Sequence, residues 1–329
     1  MSLQIGPYRL AGRTLLAPMA GICDRPFRQL CHQFGAALCG AEMLTSDQRL
    51  WHTAKSQRRM DHQGESGVRA VQLAGSEPAQ LAEAAQLNVD LGAQIIDINL
   101  GCPAKKVCNR LCGSALLSDE SLVGRLLEAV VRAVAVPVTI KIRTGPDRDS
   151  RNALRIAQLA EQCGIAAIAI HGRTRADLFK GEAEYDTIRA VKAAVKIPVI
   201  ANGDIRSAAQ ARYVLEHTGA DAIMIGRGAQ GSPWIFRTVN AELDSTEIPA
   251  PLLQSAITAL ILQHLESLYE FYGEYTGVRM ARKHLGWYCQ RQPDTQSRRQ
   301  ELMAAEDSVS QFAAARRVFA GMSETGIAA

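Results

Sequence analysis

One structural unit recurs along most of this chain. Between residues 13 and about 227, a short apolar run rich in β-branched residues is followed by a loop with Gly or polar residues and then by an Ala/Leu-rich amphipathic stretch. This alternation predicts parallel strands joined by helices, and about eight such units favour a closed (β/α)8 TIM barrel. An open doubly wound sheet usually carries a phosphate fingerprint at its first βα turn, which here reads APMAGICD. The predicted strands are residues 14–19, 37–43, 68–74, 95–100, 136–142, 166–171, 197–201 and 221–225.

The composition changes after Thr246. The segment Ile-Pro-Ala-Pro at 248–251 is typical of a linker, and the chain beyond it has helical periodicity with no strand-like run. We therefore predict a barrel domain over residues 1–247 and a small all-helical domain over 248–329, whose first helix covers 252–272. The apolar stripe of that helix consists of Ile257, Leu260, Ile261, Leu265 and Leu268.

Bulk composition narrows the functional classes. A chain of 329 residues with 47% hydrophobic content can bury a large core. The opening residues MSLQIGPYRL lack the basic and apolar regions of a signal peptide, and no apolar run is long enough to cross a membrane. The eight cysteines are scattered singly, which favours reduced thiols. We therefore expect a cytoplasmic protein with no membrane segment, and a monomer, because no heptad or large apolar repeat is visible.

Two loops with glycines follow the last two predicted strands. One contains Asn202, Gly203 and Asp204, and the other contains Gly226 and Arg227. In phosphate-binding barrels the loops after strands seven and eight commonly form the anion site, because glycines let backbone N–H groups approach closely and an Arg adds a charge-assisted hydrogen bond. Each loop alone is equally consistent with a tight βα turn. Together they favour a phosphate group as the ligand.

Side chains that are basic or carry an amide lie at the carboxyl ends of three other predicted strands. Lys141 and His171 end adjacent strands, so both are expected over the barrel mouth, where they could stabilise the negative charge of a reduced flavin ring. Lys141 is also consistent with an ion pair to Asp97 or Glu42 at the rim. The amide of Gln72 suits the pyrimidine edge of a flavin, but it suits a hydrogen bond to backbone equally well. After the first strand, the residues Pro18, Met19 and Ala20 form a rigid, apolar segment on which a flat ring could lie, and we call it the apolar ledge. By composition alone, this segment is only a loop.

Cys102 differs from the other cysteines by its position. It follows a predicted strand, precedes a proline and shares its loop with Lys105, Lys106 and Arg110. Positive surroundings lower the pKa of a thiol, and a thiol with an ordinary pKa of about 8.5 can donate a proton near neutrality. Cys102 is therefore the candidate proton donor. The cysteines that we interpret as inert core residues are Cys23, Cys31, Cys39, Cys163 and Cys289.

Cys108 and Cys112 complete a Cys-x5-Cys-x3-Cys pattern with Cys102. The pattern lacks the two-residue gap of zinc and iron–sulfur motifs, and it lacks a fourth Cys or His at metal spacing. We therefore expect no metal site, and small, partly buried thiols at both positions.

The predicted helical domain carries a basic segment. Between residues 275 and 300 there are six Lys and Arg residues and one acid, Asp294, for a net charge of +5. In a helix, Arg279, Arg282 and Lys283 would form one face opposite an apolar face, and such a face suits a phosphate backbone. A solvated surface helix explains the segment at least as well.

The same positions carry a resemblance to the tRNA-dihydrouridine synthases, and within them to the bacterial B-type branch. The match extends from about residue 5 to residue 320, and its seven motifs occur in family order at predicted strand ends. The motifs read LLAPMAGICDRPFR (15–28), VQLAGSEP (71–78), DINLGCPAKKV (97–107), KIRTG (141–145), HGRTR (171–175), IPVIANGDI (197–205) and GADAIMIGRGAQGSPWIF (219–236).

The resemblance implies a specific chemistry. It implies that flavin mononucleotide (FMN) is bound in the barrel, that NADPH supplies electrons, and that a D-loop uridine of transfer RNA (tRNA) is reduced at its C5=C6 bond. Hydride reaches C6 and Cys102 gives a proton to C5, after the base has left its stack. The helical domain is then a tRNA-binding domain. The FMN residues implied are Pro18, Met19, Ala20, Gln72, Lys141, His171, Asn202, Gly203, Asp204, Gly226 and Arg227. The RNA or base contacts implied are Lys105, Arg173, Arg279, Arg282 and Lys283.

One departure from the family and three alternatives remain. The loop with Cys108 and Cys112 is expected to be more polar and glycine-rich in the family, which concerns the flexibility of the loop carrying Cys102. A flavin barrel acting on a free pyrimidine needs no basic helical domain. An RNA-binding protein that has kept only the barrel scaffold predicts no bound flavin. A sugar-phosphate lyase or isomerase uses the phosphate loops, but it gives no role to Gln72 and Cys102 together.

Overall fold

The computed structural model describes residues 2–108 and 112–320, without the side chains of Lys105, Lys106, Pro293 and Asp294. Within this part, a (β/α)8 TIM barrel is followed by a helical unit. The strands are β1 (Gln4–Ile5), β2 (Tyr8–Arg9), β3 (Thr14–Leu16), β4 (Leu38–Cys39), β5 (Leu44–Thr45), β6 (Ala70–Ala74), β7 (Ile95–Leu100), β8 (Val138–Arg143), β9 (Ala167–His171), β10 (Val199–Asn202) and β11 (Ala222–Ile225). The helices are α1 (Arg25–Gln33), α2 (Ala54–Met60), α3 (Pro78–Asp90), α4 (Lys105–Cys108), α5 (Glu120–Ala133), α6 (Ala153–Gln162), α7 (Asp186–Ala194), α8 (Ala208–Thr218), α9 (Ile235–Leu243), α10 (Gln254–Tyr272), α11 (Glu274–Arg291), α12 (Arg299–Ala304) and α13 (Ser308–Ala320).

The barrel wall has eight strand positions, and the second position is occupied by two short strands, β4 and β5. Its strands pair in the order β4-β3-β11-β10-β9-β8-β7-β6-β5, so the two edge strands are consecutive pieces of chain. The prediction of one continuous strand over 37–43 was therefore wrong. Gly40 packs against Pro18, where a Cβ would lie 2.8 Å from the proline ring, and the buried carboxylate of Glu42 accepts the N–H of Gly21. Gly40 still donates its N–H to the carbonyl of Leu16 in β3 over 3.0 Å, so the interruption lies between Gly40 and Leu44.

Strand register sets the level of the polar side chains at the barrel mouth. β6 to β11 lie within two residues of their predicted bounds, whereas the first barrel strand, β3, ends three residues before its prediction because Pro18 has no N–H to donate. Asn99 pairs in register with Lys141, and Arg143 pairs with His171. Because the strands are parallel, their polar ends collect at one mouth.

A short hairpin closes the opposite end of the barrel. β1 and β2 pair antiparallel, and the periodicity did not predict them. Leu3, Ile5 and Leu10 are buried against inward-facing barrel residues such as Ala167 and Ile200. The hairpin therefore covers the barrel core at that end, and the polar strand ends lie at the opposite mouth.

The helices α10 to α13 form a unit with an apolar cluster of its own. The stripe predicted for the first helix is confirmed for Ile257, Ile261, Leu265 and Leu268, which are fully buried, and α10 ends at Gly273 with a φ of +75°. The predicted domain division at 247/248 lies between α9 and α10. In the described ranges, no helix combines the length and apolar character needed to cross a bilayer.

Candidate active site

A cavity of about 720 Å³ opens at the carboxyl ends of the barrel strands. Its size is in the range of small-molecule and cofactor sites. All residues that the sequence assigned to FMN or to proton donation line this cavity: Pro18, Met19, Ala20, Gln72, Cys102, Lys141, His171, Asn202, Gly203, Asp204, Gly226 and Arg227. Further lining residues include Met43, Asn99, Arg143, Phe179, Arg206 and Gln230.

A chain of hydrogen bonds connects the adjacent strands β6 and β7 with the loop that carries Cys102. The amide of Gln72 donates to Asp97 over 2.7 Å, and the amide of Asn99 donates to the Gln72 carbonyl oxygen over 2.7 Å. The Oδ1 atom of Asn99 then accepts the backbone N–H of Cys102 over 2.9 Å. Gln72 therefore takes part in a buried side-chain network instead of a rim hydrogen bond to backbone, and this network fixes the start of the Cys102 loop.

Lys141 is a half-buried cation with an amide partner. Its Nζ donates to Oδ1 of Asn202 over 3.0 Å, while both oxygens of Asp97 are engaged by Gln72 and Thr139. A direct ion pair between Lys141 and Asp97, which the sequence also allowed, is therefore absent from the hydrogen bonds of these described residues. Burial, together with the nearby charge of Arg143, lowers the pKa of Lys141 to about 8. The cavity thus holds a cation that an anionic ligand can stabilise.

His171 is neutral at physiological pH. Burial and the positive charges of Lys141 and Arg143 lower its pKa well below the ordinary value. Its Nε2 lies 3.3 Å from a guanidinium nitrogen of Arg173. Since a guanidinium can only donate, Nε2 is the acceptor and Nδ1 carries the proton.

Arg173, which the resemblance implied as an RNA or base contact, is buried, and its hydrogen bonds are made within the protein. Its side chain is 2% exposed and forms a bidentate ion pair with Asp204, at 2.5 and 3.1 Å. It also donates to the carbonyls of Lys180 and Gly181. Asp204 has a left-handed backbone with a φ of +46° and accepts a further hydrogen bond from Arg227 over 2.9 Å. Arg173 therefore stabilises the strained loop after β10.

Removing Arg173 is expected to destabilise the protein. Arg173→Met leaves the carboxylate of Asp204 without its main partner, which should lower the free energy of unfolding by about 3 kcal/mol, the lower end for buried pairs because Asp204 is partly exposed. Urea denaturation measures this difference. Arg189→Met removes the exposed pair with Asp186 and should change the free energy of unfolding by less than about 1 kcal/mol. Equal effects of both substitutions would contradict the assignment.

Cys102 is half-buried, and its thiol is protonated at neutral pH. Burial raises its pKa, and the N–H of Ala104 and the charges of Arg143 and Lys141 only partly oppose this effect. The expectation that positive surroundings would lower this pKa was therefore wrong, because desolvation of the thiolate outweighs them. The side chain of Lys105, an expected RNA contact, lies outside the described residues, as does all of Arg110. A protonated thiol beside two cations is suited to donate a proton and to tolerate the resulting thiolate.

Arg143 and Phe179 are the main site residues that sequence reasoning missed as candidates. Arg143 is 1% exposed and donates to the carbonyls of Gly101, Thr174 and Leu178 at 2.7 to 2.9 Å, so it ties the Cys102 loop to the loop after β9. In that second loop Phe179 is 55% exposed, with the guanidinium of Arg143 5.3 Å from its ring centre. The charge of Arg143 at a strand end was a usable signal, whereas nothing local marks Phe179.

Only part of the basic segment in the helical unit is exposed to solvent. Arg279 on α11 is exposed, but Arg282 donates to the carbonyl of Ala305 over 2.8 Å and Lys283 donates to the carbonyl of Gly21. Arg282 and Lys283 are both half-buried. Of the three cations predicted for one RNA-facing helix surface, Arg279 alone has its head group on the exposed side. Within the described ranges, no three His, Cys, Asp or Glu residues are grouped so that they could hold a metal ion.

Comparison with known proteins points to one family. A family model described as dihydrouridine synthase matches residues 15–322. The chain is 58% identical over 330 residues to tRNA-dihydrouridine synthase B of Pseudomonas aeruginosa, with 99% of both chains covered. It is 55% identical to tRNA-dihydrouridine synthase B of Vibrio cholerae, covering 96% of this chain and 98% of that protein. It is 56% identical to the protein of the same name from Xanthomonas axonopodis, covering 96% of each.

Proposed function

The chain belongs to the dihydrouridine synthase family, and from that premise we propose that it reduces a uridine of tRNA to 5,6-dihydrouridine, with FMN as bound cofactor and NADPH as electron donor. The observation that carries the proposal is the cavity itself. A protonated thiol, a half-buried cation and two glycine-containing loops surround one space at the barrel mouth. The D-loop is the proposed location of the uridine, and the cytoplasm is the proposed location of the protein.

The residues of the cavity fit FMN. At one end, Gly203 has a φ of +137° and a Cβ on Gly228 would lie 2.2 Å from the carbonyl of Ile205, so only glycine allows these loops to pack this closely. Arg227 adds a positive charge at that end, which suits the phosphate. At the other end, Lys141 and the amide network of Gln72 suit the polar edge of the flavin ring. The apolar ledge of Pro18, Met19 and Ala20 borders the space between them.

The protein side chains have separate tasks in this reaction. The chemistry that FMN supplies when bound is two-electron transfer from NADPH to a pyrimidine ring. The Sγ–H of Cys102 donates a proton to C5 of the base, and the N–H of Ala104 stabilises the thiolate that remains. Lys141 holds positive charge at the ring end of the cavity, and neutral His171 keeps an N–H donor there.

A macromolecular substrate is consistent with the position of the cavity. A base can reach a barrel mouth only after leaving its stack, so we propose that the uridine is flipped out. We propose that the helical unit beyond residue 247 contacts the tRNA, with Arg279 as its exposed cation. The contacts proposed from the resemblance for Arg282 and Lys283 require a change of their present hydrogen bonds.

The affinity for FMN is expected to fall in mildly alkaline solution. Lys141 has a lowered pKa of about 8, so it is charged below this pH and loses its charge as the pH rises through it. The dissociation constant of FMN should therefore rise by up to about tenfold per pH unit between about pH 8 and 9.5, where the phosphate no longer titrates. Flavin fluorescence titrations measure the constant. Lys141→Met should bind FMN more weakly at neutral pH and show a flat profile; the same slope in this variant would assign the titration to another group.

The reaction is tested by mass spectrometry of nucleosides from unmodified tRNA that has been incubated with the purified protein, FMN and NADPH. Dihydrouridine is the expected product. Bound FMN and NADPH oxidation without dihydrouridine would favour a free pyrimidine as substrate. Absence of FMN binding would favour an RNA-binding protein that lacks redox activity.

A further inference from the structure

Helix α11 of the helical unit contacts both loops that flank the apolar side of the cavity. From one turn, Lys283 donates through Nζ to the carbonyl of Gly21, in the loop after β3. Two turns further along, Arg291 donates to the carbonyl of Gly228 over 2.9 Å and to that of Gln230 over 3.5 Å, in the loop after β11. β3 and β11 are neighbours in the barrel, so a single helix holds two adjacent cavity loops.

The loop after β3 is fixed around the peptide of Gly21. The N–H of Gly21 donates to the buried carboxylate of Glu42 over 2.6 Å, while its carbonyl accepts from Lys283. Gly21 has a φ of +75°, and the carbonyl of Met19 accepts the N–H groups of Ile22 and Cys23, each over 3.0 Å. Lys283 therefore completes the fixation of a turn whose preceding residues border the cavity.

The loop after β11 lies directly on α11. At Gly231, with a φ of +69°, a Cβ would lie 2.3 Å from the carbonyl of Trp287, which shows how closely the loop approaches the helix. Trp234 stacks on Tyr288 with ring centres 6.4 Å apart and is buried in the apolar cluster of the helical unit. The loop that carries Gly226, Arg227 and Gly228 thus has the cavity on one side and the helical unit on the other.

Neither cation is held by a direct ion pair in the described part of the chain, although the more distant carboxylates of Asp24 and Glu42 favour the charged form of Lys283 and partly oppose the effect of its burial. Neither Lys283 nor Arg291 forms an ion pair within 4 Å among the described residues. Arg291 lies close enough to Arg206 for the like charge to lower its pKa, in addition to the larger effect of burial. Lys283 and Arg291 are half-buried and donate hydrogen bonds to loop carbonyls. They are therefore poorly placed to neutralise RNA phosphates and well placed to hold the loops.

We infer that Lys283 and Arg291 are positioning residues for the cofactor, so that the helical unit is a structural part of the FMN site and not only a surface for RNA. The inference rests on the proposed FMN binding. Arg291 acts on the phosphate end through Gly228, and Lys283 acts on the apolar ledge through Gly21. Neither residue is among those that line the cavity, so each would act through the loop that it holds.

The test is the dissociation constant of FMN for Arg291→Met and Lys283→Met, measured by flavin fluorescence on protein stripped of FMN. Losing a charge-assisted hydrogen bond to the loop should raise the constant by about tenfold in each variant. Arg316→Met is the matched control, because Arg316 is an exposed arginine of the same helical unit, on α13, with no proposed role at the cavity or toward tRNA; its constant should be unchanged. Arg291→Lys, which keeps one charged donor, should restore part of the affinity.

Each outcome decides between the roles. If FMN affinity is unchanged while tRNA affinity falls, both cations are RNA contacts and the inference is wrong. If only the melting temperature of the FMN-free protein falls, they are purely structural and the inference is also wrong. If the unaltered protein does not bind FMN, the proposed function fails and the inference fails with it, which is a distinguishable result.

Discussion

Replacing Cys102 by Ala is expected to lower dihydrouridine formation by about 10²- to 10⁴-fold, the usual contribution of a general acid, while FMN binding and its reduction by NADPH persist. The thiol lines the cavity and is protonated at neutral pH, because burial raises its pKa. Alanine removes the proton donor but leaves the backbone N–H of residue 102 bonded to Asn99. Single-turnover formation of dihydrouridine and stopped-flow reduction of the flavin separate the two steps.

Cys163→Ala is the matched control for this substitution. Cys163 follows α6, where it is half-buried, and the one hydrogen bond found for its thiol among the described residues is a long one, 3.9 Å, to the carbonyl of Gly124. Its replacement should leave both rates near those of the unaltered protein. Undiminished dihydrouridine formation by Cys102→Ala would mean that another group, or water, protonates C5.

Replacing Arg143 by Met is expected to lower kcat by about 10²-fold, since displacing a reacting group by as little as 1 Å can have an effect of this size. Arg143 holds Gly101, next to Cys102, and it holds Leu178, next to Phe179. Without it, the loop that carries the proton donor and the loop after β9 lose their shared anchor. FMN affinity should change less, because the phosphate loops after β10 and β11 do not depend on these contacts.

Arg148→Met provides the comparison, because Arg148 lies in the loop after β8 but is largely exposed, paired with Asp177. Steady-state kinetics on tRNA should show kcat reduced for Arg143→Met alone. A kcat within about threefold of the unaltered protein, with a raised KM only, would assign Arg143 to substrate binding instead of loop positioning.

Several features of the site were accessible from local sequence. Short apolar runs, alternating with amphipathic stretches, predicted β6 to β11 to within two residues. In a barrel, the residue types that end such strands must collect at one mouth. For that reason the strand-end positions of Gln72, Lys141, His171 and the two glycine loops were enough to assign them to one cavity, and all of them line it. Their individual roles toward FMN stay predictions.

Other features depended on partners far away in the chain. Lys283 and Arg282 look like free cations in the sequence, yet the partner of Lys283, Gly21, is 262 residues away. Arg173 was a possible RNA contact by its motif, and in the structure it is buried and paired with Asp204. Residues 37–43 were predicted as one strand, but the structure has two short strands at this position of the barrel wall, β4 and β5. Between these strands, Gly40 and Glu42 contact the loop after β3.

The sequence by itself determined the barrel, the helical unit and the identity of the residues at the mouth, because periodicity and strand-end position are properties of neighbouring residues. Only the tertiary structure decided the ionisation state of Cys102, the partners of the buried cations and the contact between α11 and the cavity loops. These depend on desolvation and on hydrogen bonds between distant segments, and no local pattern encodes how much water a folded chain leaves around a thiol or a guanidinium.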